Sequence, residues 1–235
     1  MTRFPLLAGA LALLLAHGAA AQGQAASSSW SDTPTARVAA LALLETLNAD
    51  LLSSDSATLT LDRWCAAHRM AEPATIVAER VRGDDKEPTT QVRELLGVGA
   101  ADTVRYRHVR LHCGTHVLSE ADNWYVPARL QPRMNQVLET TDTPFGRAVQ
   151  ALHFRRRTLS ARLLWSPLPP GWEMAAALPP ASSAPMPIPP QTIQHRAVLS
   201  LPDGTPISVV VETYTGEVLS FPQPLSQSLP QPPSQ

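Results

Sequence analysis

Charge of one sign is missing from this 235-residue chain: 19 Lys and Arg stand against 20 Asp and Glu, a formal net charge of -1. No strong field draws it to nucleic acid or acidic lipid, which excludes a histone-like basic protein. Cysteine is scarce, with only Cys65 and Cys113, and that excludes a disulfide-dense miniprotein. Lysine is scarcer still: Lys86 is the only one, the other basic residues being arginines. Beyond Gln22 no apolar run is long enough to cross a bilayer, so a multi-span membrane protein is excluded as well. What is present, 44% hydrophobic and 17% charged residues, suits a folded domain.

The N-terminus has the pattern of a secretory signal. Arg3 supplies a positive start, Pro5 to Ala16 is apolar but short, and Ala19-Ala20-Ala21 offers a small-residue cleavage site before Gln22. Residues 1–21 are therefore expected to be a signal peptide and 22–34 a linker. The mature protein is expected to be periplasmic or secreted, with no stable membrane insertion. In an oxidising compartment Cys65 and Cys113 can pair, a link that would stabilise the fold by about 4 kcal/mol. Two buried thiols fit the sequence equally well.

Proline marks the organisation. Of 23 prolines, nine fall between Pro167 and Pro190 and five between Pro222 and Pro233. The first group is read as an extended, solvated insert (166–192) and the second as a Pro/Gln-rich disordered tail (222–235). One domain, residues 35–221, contains the insert and precedes the tail. Val38, Leu41, Leu44, Leu47 and Leu51 predict a helix opened by Pro34. Val92, Leu95 and Leu96 predict a short helix stopped at Gly97. Two further helices are predicted from Pro132 and from Thr143-Pro144, the latter with Thr as cap and Pro as first helical residue. Strands are predicted over 75–81 and 154–165, with hairpins over 104–126 and 193–214. The sum is an α+β fold: a single antiparallel sheet in meander order with helices on one face.

Candidate chemistry is sparse. His108, His112 and His116 recur every four residues beside Cys113, but on a strand and turn they do not converge as a metal requires, and no metal site is assigned. No G-x-S-x-G, P-loop or dinucleotide fingerprint is present. Arg155-Arg156-Arg157 reads as a solvated strand edge. Arg107 is the informative residue. A period of two puts it on the apolar face with Val109, Leu111 and Cys113, where a cation needs an anion. Glu212, on the face of Val210 and Ser208, can reach the same cavity. Together they would bind a small carboxylate carrying a hydroxyl. Alternatively the two pair with each other or point outward.

The segments RHVRLHCGTHVLSEADNWYVP, TDTPFGRAV and DGTPISVVVETY resemble the chorismate lyase family and the related ligand-sensing domains of bacterial transcription regulators. The resemblance spans Val38 to Tyr214 without the Pro-rich insert. It implies an antiparallel sheet enclosing an aromatic-acid pocket, and conversion of chorismate to 4-hydroxybenzoate and pyruvate without cofactor or metal. It also implies that Arg107 and the Phe145 backbone N–H hold the ligand carboxylate while Glu212 faces the ring oxygen as the catalytic residue. The Arg107–Pro127 and Pro206–Glu212 intervals are each one residue longer than the family pattern, so a bulge is needed in each to keep these side chains on one face. The expected function is that of an exported lyase of this kind. The alternatives are a non-catalytic module for a small aromatic carboxylate, without nucleic acid as a partner, and an envelope interaction protein.

Overall fold

The computed structural model describes residues 29–83 and 85–222. The expected signal peptide and residues 223–235 of the expected tail lie outside them. The elements run β1 (Ser31–Asp32), α1 (Pro34–Leu52), α2 (Ala57–Ala67), β2 (Ile76–Val81), α3 (Thr90–Leu96), β3 (Arg105–Cys113) and β4 (His116–Tyr125). They continue with α4 (Pro132–Thr140), α5 (Phe145–Ala148), β5 (Arg155–Leu163), β6 (Ser182–Pro185), β7 (Gln191–Ser200) and β8 (Pro206–Thr215).

The α+β class holds, with one sheet more than expected. The main sheet has six antiparallel strands in the order β2-β3-β4-β8-β7-β5, and β1 pairs with β6 in a separate two-stranded ribbon. The order departs from a meander because β8 sits beside β4 and carries β7 and β5 outward, so the sheet is closed by contacts distant in sequence. Helices also cover both faces rather than one. Val92 and Leu96 of α3 pack with Trp124, Val126, Val198 and Val209, on the side opposite α1, α2, α4 and α5. No helix among the described residues is long and apolar enough to cross a membrane.

Local chemistry accounts for the helix ends. Thr33 caps α1 by accepting from the Ala36 N–H at 3.1 Å, with Pro34 in the first turn. Gly97 ends α3 at φ 61°, a left-handed conformation that costs glycine little. The buried stripe of α1 runs through Ala36, Ala40, Leu44, Leu47 and Leu51. Val38 is exposed instead, since two alanines carry the face where the helix meets the core. At α5 the cap is Pro144, in extended conformation, and Phe145 is the first helical residue; Thr143 makes no capping bond there.

The Pro-rich insert is extended but not wholly solvated. Leu168 and Met186 are buried, and the Met186 N–H donates to the Trp30 carbonyl at 2.7 Å. Trp30 in turn donates its indole N–H to Leu219 at 2.8 Å, which places part of the expected linker in the core. Apolar side chains at Trp30, Leu168 and Met186 favour burial over the solvation that proline alone suggests.

Both long intervals contain a register shift. In β4 the pairing passes from Leu111↔Ser119 to His112↔Val117, leaving Leu118 as the extra residue. In β8 it passes from Leu199↔Ser208 to Ser200↔Pro206, leaving Ile207 extra. These bulges return the downstream alternation to phase. Arg107, Asn123 and Val210 lie in register across β3, β4 and β8, and Val109, Ala121 and Glu212 form the next row. Cys65 and Cys113 are joined by a disulfide with 6.1 Å between Cα atoms, tying α2 to the end of β3.

Candidate functional site

Arg107, Phe145 and Glu212 line one hollow of about 40 Å³ between the sheet and the first turns of α2 and α5. The strand period puts Arg107 and Glu212 on the inner face. Phe145 arrives from above, because Gly146 lets α5 press against α2. A Cβ at Gly146 would lie 2.8 Å from the Ser56 hydroxyl oxygen and 3.2 Å from that of Thr58. Arg147 fixes the contact by bonding Asp62 at 2.7 Å and the Ile76 carbonyl at 2.9 Å.

Arg107 is 3% exposed and forms no ion pair among the described residues. Its one hydrogen bond, to the Thr143 carbonyl, is long at 3.4 Å, and its Nε is buried without a partner. Burial, followed by the charge of Arg80, lowers its pKa to about 10, so it is still a cation at neutral pH. A buried guanidinium without a carboxylate is costly to the fold and ready to receive an anion.

Glu212 is already engaged. Its Oε2 accepts from Arg156 at 2.5 Å and from the Tyr214 hydroxyl at 3.2 Å. Arg156 corrects the reading of the three arginines as a solvated edge: its side chain is 3% exposed and lines the hollow, whereas that of Arg155 is 77% exposed. Burial opposes the Arg156 charge, but the charge and hydrogen bond of Glu212, with Tyr214, outweigh it and raise its pKa. Burial pushes the Tyr214 hydroxyl well above its usual range, and the Glu212 charge adds to this. The alternation with Phe154 and Thr158 was the available signal for Arg156. Asn123, which accepts from Ser208 at 2.5 Å, and the α2 residues Ser56 and Thr58 also line the hollow without having been anticipated.

The three histidines of the β3–β4 hairpin do not gather: His112 bonds Glu79 and His116 bonds Glu217, each at 2.8 Å, and the Nδ1 of His108 is buried without a hydrogen-bond partner among the described residues. His195, fully buried opposite Glu212 in the strand pairing, bonds Asn48 at 2.8 Å. Burial lowers the pKa of His195 and of His68. A lowered native value means that below about pH 6.5 the unfolded chain binds protons the native one refuses, so stability falls as pH falls. The urea midpoint is accordingly expected to be lower at pH 5.5 than at pH 7.5, with a smaller drop in His195→Gln. Equal midpoints at the two pH values in the wild type would contradict this.

Fold and cavity together define an α+β domain with a small hollow into which a buried, acid-free Arg107 guanidinium faces. No family model matches the chain. It is 61% identical over 197 residues, 83% of each chain, to the uncharacterized protein y4mC of Sinorhizobium fredii, and it belongs to that protein's family. Among solved structures it resembles the effector domain of PhnF from Mycobacterium smegmatis, with 13% identity over 66% of this chain and 90% of that one, at a TM-score of 0.42. A GntR-family transcriptional regulator from Enterococcus faecalis matches at 14% identity over 61% of this chain and 96% of that one, TM-score 0.38. The full PhnF chain gives 13% over 64% and 63%, TM-score 0.43, so this chain spans less than two thirds of it. The expectation of a periplasmic or secreted protein is corrected by these matches, whose names are of transcriptional regulators. The expected exclusion of nucleic acid as a partner finds no support in these names.

Proposed function

We propose that this chain is a ligand-binding domain that buries a small carboxylate against Arg107. The single observation that carries this reading is a guanidinium 3% exposed, inside a hollow, with no carboxylate paired to it among the described residues. A bidentate carboxylate supplies the charge and the hydrogen-bond acceptors that Arg107 lacks. In this reading the Phe145 backbone N–H, in the first turn of α5 where helical amides have no intrahelical partner, is a second donor to the anion. Glu212 orients Arg156 instead of acting as an acid.

Elimination of pyruvate from chorismate, the activity implied by the resemblance, is the weaker reading. It calls for room around a ring and a glutamate free to face its oxygen, whereas the Oε2 of Glu212 is held by Arg156 and Tyr214. Purified chain incubated with chorismate is expected to release no pyruvate above the spontaneous rate; turnover abolished by Glu212→Gln would reverse the assignment.

The binding reading is tested with Arg107→Met. Removing an uncompensated buried charge while keeping an apolar stem is expected to raise stability by about 1–3 kcal/mol. It should also abolish any thermal stabilisation by carboxylates. A variant that still responds to them would show that the anion sits elsewhere.

A further inference from the structure

The walls of the hollow restrict its occupant in charge and in size. Two arginines and two acids line it, Arg107 and Arg156 against Asp55 and Glu212, with the exposed Arg155 outside it beside Asp55. Asp55 is spent on the Arg155 side chain and on the Arg156 backbone N–H, and Glu212 on the Arg156 side chain. Of the two lining guanidinium groups, that of Arg107 alone is left without an acidic partner among the described residues. The Nε atoms of both Arg107 and Arg156 are buried with no hydrogen-bond acceptor. A single negative charge balances Arg107, and a dianion would overshoot it in a site where uncompensated charge is costly.

Size restricts it further. Pockets for drug-sized ligands measure roughly 300–1,000 Å³, against about 40 Å³ here. Much of the wall is packed core, completed by Asp55 and Ser56 of the α1–α2 connection. Phe145, Phe154, Leu199 and Val210 are buried in one cluster, and the Phe145 ring lies 5.6 Å from that of Tyr125. Such a volume holds about three water-sized groups, which is the bulk of a short carboxylate and not that of a benzene ring.

Resting on the anion-binding reading above, we propose that the hollow is a site for one compact aliphatic carboxylate monoanion of two or three carbons, held between Arg107 and Arg156, and that aromatic acids are excluded by the Phe145, Phe154 and Leu199 wall. Leu199 is then the residue that sets specificity.

The full chain is titrated with acetate, glycolate, benzoate and inorganic phosphate, each against matched sodium chloride, by calorimetry and by thermal melting at pH 7.5. Acetate or glycolate is expected to bind saturably and to raise the melting temperature by about 5 °C at about twentyfold its Kd. Benzoate and phosphate are expected to have no effect. Leu199→Ala should admit benzoate, and where that variant does not fold the wild-type series decides alone. Benzoate binding to the wild type, lost in Arg107→Met, would overturn the size limit and leave the anion site standing. Preference for phosphate would overturn the monoanion assignment. No response to any of the four would overturn both the inference and the reading on which it rests.

Discussion

Replacing Glu212 by alanine is expected to destabilise the fold by about 3–5 kcal/mol, the usual cost of stranding one partner of a buried ion pair. The Arg156 side chain is 3% exposed and has Glu212 at 2.5 Å, so it cannot turn to water without moving β5. Arg107, in the same hollow, already lacks a counter-charge. With Glu212 gone, two guanidinium groups would face each other across a water-poor space, and the Tyr214 hydroxyl would lose its acceptor. In a domain of this size the melting temperature should fall by about 10 °C. Glu212→Gln keeps an acceptor but not the charge and should fall between. The double variant Arg156→Met/Glu212→Leu removes both charges at once and should cost far less than Glu212→Ala alone. Acetate should partly restore Glu212→Ala by putting a carboxylate back where one was removed. A loss below 1 kcal/mol in urea unfolding would show that the pair is dispensable.

How much of this could be read in advance depends on contrast within each segment. Arg107 stands out on β3 because its neighbours at two-residue spacing, Val109, Leu111 and Cys113, are apolar; one cation in an apolar row shows which way it faces. Glu212 is legible on β8 for the same reason. Arg156 is harder to place: three identical residues carry no alternation of their own, only Phe154 and Thr158 to either side mark its face, and that face is fixed by pairing with β7, distant in sequence. The helix α2 was missed since its first turns, Ala57-Thr58-Leu59-Thr60, mix β-branched and apolar residues. Its signals were Ser56 as cap, accepting from the Leu59 N–H at 3.4 Å, and the later spacing of Leu61, Trp64 and Cys65. Val92 and Leu96 announce α3 as amphipathic, but periodicity says nothing about which sheet face a helix will cover. The β1–β6 ribbon joins residues about 150 positions apart, one partner lying inside a proline-rich run, and no local pattern encodes such a pairing.

Breaking the link between Cys65 and Cys113 is expected to cost about 4 kcal/mol, because a separation of 48 residues is closed by it in the unfolded chain. Both cysteines are fully buried, so alanine is the better replacement; serine would add two hydroxyls to an apolar cluster. Cys65→Ala/Cys113→Ala and a reduced wild type should therefore show similar losses in urea midpoint. The consequence reaches the hollow through α2. The bond holds the C-terminal turn of that helix to β3, while Ser56 and Thr58 at its other end line the cavity. The Trp64 indole, which donates to Val218 at 2.9 Å, still anchors the helix when the bond is broken. The domain should accordingly remain folded at room temperature but bind its anion more weakly, since ordering α2 then draws on the binding energy. A midpoint unchanged within 1 kcal/mol would show that packing alone fixes α2. A lowered midpoint with unaltered anion affinity would separate the link from the site.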